Sequence, residues 1–399
     1  MTLPARRNIL LLWAAQLISS AGDAVYHLSL MWLILDLTGS STATGLVAMS
    51  AYIPAMLFGL YAGVLSDRHN RMVLMILSQV TQAATVIIIP VLLVYDIEKA
   101  VLFGLLAFVR ATFSTLFPPA FNAFVPMIVD KRHLVRVNSL LATSGQLAWF
   151  IGPALAGVLL GVISLKFLFV LDAASFIAAI ILLLFVVKPA TKPRTTIHHS
   201  NWKELTDGIR YVVNHESLGF LIGLTIVNNL FIMGPALVGT PILIKEALGG
   251  TVSQYAFVEA FLALGMLIGS VFVYRYGNRV NSGLLLLVGM ILDGLTYSLF
   301  YFADSVGFVM IFIIIHAIGI PMITISRTAI IQRHSPNRYH GRLFSMVHLA
   351  VVGVTALSSA LVGIAASLID IKTIFLFIGL GAAMCGIVGM FHAKVRQLT

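Results

Sequence analysis

Charge is what this chain has least of. Only 10% of its 399 residues are Asp, Glu, Lys or Arg, where soluble domains carry roughly a quarter, so too few ionic groups exist to cover a water-facing surface. Acids are the scarcer sign, at 15 against 25 Lys and Arg. Cysteine is nearly absent: Cys385 stands alone, which excludes a disulfide or a cysteine-based metal site within one chain. Also missing are H-E-x-x-H, C-x-x-C and the phosphate-cradling G-x-x-x-x-G-K-[ST]. No catalytic residue, metal site or cofactor is expected, and ATP hydrolysis is not the expected energy source.

Apolar residues make up 59% of the chain and come in long blocks. From Ile9 to Leu35 the only charged residue is Asp23; from Met72 to Tyr95 there is none. A bilayer core needs about 20 apolar residues per helix, and the punctuation predicts twelve such spans: 8–35, 42–66, 72–95, 99–126, 137–163, 165–188, 218–245, 253–275, 281–303, 305–330, 342–369 and 372–393. The longest polar stretch, with Pro189, Pro193 and five basic residues, falls near the middle. The expectation is an all-α membrane protein of two six-helix halves, 1–188 and 218–399, joined by a cytoplasmic linker at 189–217. Within the linker Trp202, Leu205 and Ile209 recur at helical spacing, which predicts a short amphipathic helix at the membrane surface.

Basic residues set the orientation. With the N-terminus inside, outer segments hold Lys99, Lys166, Lys245 and Lys372, while Arg110 and Arg327 lie within spans. The remaining 19 of the 25 fall on inner segments. Both termini and the linker are therefore expected in the cytoplasm, in a multi-pass protein of the plasma or bacterial inner membrane. This distribution explains the net charge of +10 without a nucleic-acid partner.

Two loops at matching places in the halves suggest an internal repeat, a common build of secondary transporters. The first holds Gly63, Asp67, Arg68, Asn70 and Arg71; the second runs from Gly269 to Arg279. The first resembles the G-x-x-x-D-R-x-G-R loop of the major facilitator superfamily, with Asn70 in place of the last glycine; Asn tolerates positive φ better than other non-glycine residues. The resemblance implies that Gly63, Asp67, Arg68 and Arg71 gate the conformational change. In the fifth span Gly152, Pro153 and Gly157 resemble the superfamily's antiporter motif, with Ala148 and Ala156 replacing two glycines. Further stretches, Ser19–Asp23, Trp32–Ser40, Asn138–Leu140, Leu171–Phe176 and Gly341–Ser345 among them, resemble the drug–proton antiporters related to macrolide efflux and enterobactin export proteins. That resemblance covers nearly the whole chain and implies the major facilitator fold and transport.

An ionisable residue at membrane depth is costly and is by default a functional candidate. The acids within spans are Asp23, Asp172, Glu259 and Asp293. Arg110 matches the arginine of the superfamily's R-x-x-Q-G in the fourth span, although Phe113 and Ser114 replace its last two residues. Asp23 and Arg110 are candidates to pair, either as a proton-coupling device or as a static buried ion pair. The candidate coupling and cavity set is Asp23, Arg110, Glu259 and Asp293. Asp172 reads as a structural partner, Arg327 as a snorkelling side chain, and His27, His316 and His348 as satisfied core residues.

The resulting expectation is a secondary active transporter that exports small amphiphilic compounds, drug-like or siderophore-like, in exchange for protons. A lipid or lysolipid translocator is the alternative, with a metabolite uptake symporter behind it. Expected partners are the substrate, protons and membrane lipids, with the protein monomeric. The orientation has a direct check. In a Cys385→Ala background, single cysteines at positions 68 and 338 are expected to react with an impermeant maleimide from the cytoplasmic side, and one at 304 from outside. The reverse labelling contradicts the charge argument.

Overall fold

A computed structural model of the chain describes residues 3–129, 133–187, 210–212 and 214–398. Among them there is helix and no strand. The helices are α1 (Leu3–Thr38), α2 (Ser41–Arg68), α3 (Arg71–Val94), α4 (Ala100–Ser114), α5 (Phe117–Ile128), α6 (Leu134–Leu159) and α7 (Leu165–Leu184). After the linker come α8 (Glu216–Gly234), α9 (Val252–Tyr276), α10 (Ser282–Ser298), α11 (Val306–His334), α12 (Asn337–Ala366), α13 (Ile371–Phe391) and a short α14 (Ala393–Arg396). Among the described residues eleven spans are long and apolar enough to cross a membrane, and α6 adds a shorter apolar stretch at Leu147–Leu159. The chain is a multi-pass membrane protein, because only segments that satisfy their own backbone survive in hydrocarbon. Its exposed face agrees: Val101, Leu184 and Phe391 are 74%, 67% and 86% exposed, where a soluble protein would carry charge.

Short polar signals end the helices. Gly39 takes a φ of +57° between α1 and α2, a turn that a side chain would strain. Thr251 and Gln254 form a capping box at α9, and Ser305 and Asp370 cap α11 and α13. Asn70 is extended, with φ −66°, and its Oδ1 accepts from the Met72 and Val73 N–H groups. No positive φ is needed there: asparagine works in this loop as an N-cap.

Two spans are less regular than their apolar runs predict. The fourth breaks at Thr115–Leu116, ahead of Pro118 and Pro119, so α4 ends about one turn past Arg110. The seventh continues beyond α8 through π-helical turns at Pro235–Gly239 and Leu243–Ala247. Proline lacks the N–H that a preceding carbonyl would receive. Just before Pro235 the Ser358 hydroxyl inserts between a carbonyl and an N–H one turn apart, its Oγ donating to the Leu230 carbonyl (2.6 Å) and accepting from the Gly234 N–H (2.7 Å).

The chain divides into two compact units, 1–39 with 50–196, and 40–49 with 197–399. In the first, α1 packs on α6 and α7, and α3 packs on α4, α5 and α7. Its apolar core joins Leu12, Met75, Phe121, Val125 and Leu183. In the second, α10 packs on α11 and α13, α9 on α11, and α12 on α8, around Leu221, Leu286, Met290 and Ile330. The amphipathic helix predicted from Trp202 to Ile209 lies outside the described residues.

Candidate functional site

Small residues decide where α1 runs. On α6, Ala148, Gly152 and Ala156 repeat every fourth residue and are buried, a spacing that lets helix backbones touch. A Cβ added to Gly152 would lie 2.6 Å from the Ala21 carbonyl and 2.9 Å from the Ala24 Cβ. On its other side α1 meets α7 at Gly22, where a Cβ would overlap the Ser175 hydroxyl and the Asp172 carboxylate. Pro153 and Gly157 are buried on the same helix. Gly152 therefore holds α1 close at the turn that carries Asp23.

That turn carries the charge. Arg110, from α4, forms an ion pair with Asp23 through Nη2, and the same nitrogen lies 3.8 Å from Oδ2 of Asp172 on α7. Its guanidinium lies over the Tyr26 ring, 3.8 Å from the centroid, with Phe176 at 5.5 Å. Ser175 Oγ donates to the Asp172 backbone carbonyl at 2.7 Å and reaches its carboxylate at 3.5 Å. Three polar atoms here have no hydrogen-bond partner among the described residues: Arg110 Nε, Asp172 Oδ2 and the Tyr26 hydroxyl. The Asp172 and Arg110 side chains are 0% and 5% exposed, whereas Asp23 is 32% exposed. Two carboxylates thus share one guanidinium, and only one of the two is open to exchange with its surroundings.

One turn along α1, His27 is stacked between Tyr52 (5.8 Å, 27°) and Trp149 (6.0 Å, 24°). Trp149 is 47% exposed, so an aromatic wall stands beside the accessible acid.

The second unit holds the other acids. Asp293 on α10 is buried against His316 of α11, with Nδ1 to Oδ1 at 3.2 Å. Glu259 on α9 is partly exposed and hydrogen-bonded with Tyr255. Arg327 is mostly buried toward the C-terminal end of α11. Asp67 and Arg68 are exposed in the last turn of α2, and Arg71, the first residue of α3, bonds the Ala123 carbonyl on α5 at 3.1 Å. Gly63 lies inside α2 with open space where a Cβ would project.

The family model described as transmembrane secretion effector, of the major facilitator type, matches residues 3–398. The chain belongs to that family. It is 24% identical to macrolide efflux protein A of Streptococcus pyogenes over 84% of its own length and 83% of that protein. It is 21% identical to the multidrug efflux pump Tap of Mycolicibacterium fortuitum over 100% of its length and 98% of the pump. In three dimensions it resembles the nucleoside transporter NupG, with a TM-score of 0.73 at 12% identity over 97% of this chain and 99% of that one, a likeness of fold. This member of the family is an efflux transporter of the major facilitator type and not an enzyme.

Of the sequence candidates, the fold joins Asp23 with Arg110, and it keeps Glu259 and Asp293 in the other unit. Asp172 and His316, read from sequence as a structural partner and a core residue, stand in direct contact with the buried charges. Counting charges by half would have singled out Asp172, since, apart from the lysines at span ends, the spans of the first half hold two acids and one cation.

Removing Arg110 strands both acids. Arg110→Ala is expected to destabilise the detergent-solubilised transporter by about 3–5 kcal/mol, seen as a lowered thermal midpoint. Asp172→Asn is expected to cost less, because Asp23 keeps its partner. Arg110→Lys is not expected to restore wild-type stability, since an ammonium lacks the planar face that lies on Tyr26. An Arg110→Ala protein as stable as wild type contradicts the cluster's role.

Proposed function

We propose that this transporter exports small amphiphilic compounds, drug-like in character, in exchange for protons, and that the Asp23–Arg110–Asp172 cluster holds the proton. One observation carries the reading: a single buried guanidinium faces two carboxylates. With all three groups ionised the cluster bears a net charge of −1 in an apolar interior, where an uncompensated ion costs several kcal/mol. Something of opposite sign must neutralise it. A proton does so in one state of the cycle; in the other, the cationic or hydrogen-bonding end of an amphiphile takes its place.

Asp23 is the exchanging member, because it alone of the three is substantially exposed. When Asp23 takes a proton, its pair with Arg110 weakens and the guanidinium is left to Asp172. When the proton leaves, Asp23 competes again for Arg110 and the surplus charge returns. Protons and substrate compete for one surplus charge, and this competition couples them thermodynamically. The aromatic surfaces of Trp149 and Tyr52, one turn away, suit the apolar body of such a substrate.

The energy source in this account is the proton gradient, with no cofactor. The protein works as a monomer among membrane lipids, in the plasma or bacterial inner membrane, with both termini in the cytoplasm. Exposed Asp67 and Arg68, with Arg71 bound to α5, serve as the gating loop.

Proteoliposome flux tests the proposal. With an imposed pH gradient and a radiolabelled macrolide as probe, wild-type protein is expected to show gradient-driven transport and Asp23→Asn none above background. Macrolide binding to Asp23→Asn is expected to stay within about tenfold of wild type, a shift of about 1.4 kcal/mol. Gradient-driven flux equal to wild type in that variant removes Asp23 as the coupling group.

A further inference from the structure

The second unit has a buried ionisable pair of its own that the mechanism above leaves unused. Asp293 is 2% exposed and His316 is 1% exposed. No lysine or arginine pairs with either residue among those described. His316 stands ten residues beyond Val306, the first residue of the tenth span, and Arg110 stands ten residues beyond Ala100, the first of the fourth. In a chain built as a six-helix repeat these are matching positions. Each half thus centres a basic side chain against an acid from a neighbouring helix. Arginine stays charged at all working pH values, but histidine gains and loses its proton in the physiological range.

The hydrogen bonds define which proton is missing. His316 Nδ1 lies 3.1 Å from the Asp293 backbone carbonyl, 3.3 Å from Thr296 Oγ1 and 3.2 Å from Asp293 Oδ1. The Thr296 hydroxyl is already turned to backbone carbonyls, at 2.7 Å from Leu292 O and 3.0 Å from Asp293 O. Every atom around Nδ1 is therefore an acceptor, which places the hydrogen of the neutral ring on Nδ1. One N–H cannot serve three oxygens, and Asp293 Oδ1 is left without a donor. An ionised carboxylate beside a neutral imidazole is then an uncompensated charge in a sealed site. Adding one proton removes it, giving either a carboxylic acid beside a neutral imidazole or a carboxylate–imidazolium pair.

From this geometry we infer that Asp293 and His316 form a second proton-binding site, built into the C-terminal half and independent of Asp23. The neighbouring helices supply the other polar groups that face it. From α10, the Tyr297 ring stacks on His316 at 3.9 Å and 7°, and its buried hydroxyl has no hydrogen-bond partner among the described residues. From α9, which packs on α11, comes Glu259, hydrogen-bonded with Tyr255. From α13 the Phe375 ring lies edge-on to Tyr297. Glu259 is the partly exposed member of this polar group.

The test uses the full-length protein in lipid nanodiscs, with the proton itself as probe. Infrared difference spectra are recorded between about pH 5 and pH 8, with isotope-labelled aspartate to identify the carboxyl band. A protonated-aspartate band is expected to titrate in this window, to lose its label-sensitive component on Asp293→Glu, and to change its midpoint on His316→Gln. It is also expected to persist in the Asp23→Asn/Asp172→Asn protein, which removes the buried acids of the first half. That variant leaves the Asp293 site untouched, so the reading survives folding failure of any variant at the site. A titrating aspartate band that is present in wild type and disappears with Asp23 and Asp172 overturns the inference and leaves the first-half proposal as it stands; no titrating aspartate band in wild type overturns both.

Discussion

A single guanidinium between two carboxylates, held where water is scarce, is the constraint on which the first half depends. Arg110 cannot shed its charge and cannot fully compensate Asp23 and Asp172 together. The helices around it are arranged to keep that imbalance in place. Gly152 on one side and Gly22 on the other bring α6 and α7 against α1, so Asp23 projects from a backbone with no freedom to drift. The Tyr26 face covers the cation where hydrogen-bond acceptors run out. Replacing the cluster with apolar residues would cost little in packing terms, as buried ion pairs are seldom net stabilising.

The second half treats the same problem with weaker chemistry. Histidine replaces arginine ten residues into the corresponding helix, one acid faces it, and a tyrosine ring again lies flat on the basic group. Both halves thus present a basic centre covered by an aromatic face, but only the second can lose its charge at ordinary pH. An efflux cycle in this account draws on one centre that trades a proton against substrate and on another that answers to the proton alone.

The fold is largely legible in the sequence because hydrocarbon leaves few options. Long charge-free runs such as Met72–Tyr95 can only be spans. The breaks inside spans are less legible. Pro118 and Pro119 interrupt the fourth span beside Arg110, and Pro235 opens the π-helical turns of the seventh, yet hydropathy continues through both. Asn70 illustrates a second limit: it stands in a glycine position, and its cap role shows only in the backbone angles. The site is half legible. Asp23 and Arg110 stand out as rare charges, but Asp172 and His316 gain their meaning from partners 149 and 23 residues away on other helices, by their positions against Asp23 and Asp293. Spacing in one span cannot disclose such a partner.

The central claim is that substrate and proton compete for one surplus negative charge, and proton release on binding tests it most directly. Detergent-solubilised protein in weakly buffered solution with a pH indicator, titrated with a macrolide near neutral pH, reports the protons freed per molecule bound. The account predicts release of about one proton per molecule in wild type and none in Asp23→Asn. Binding without proton release, or equal release from both proteins, would contradict it.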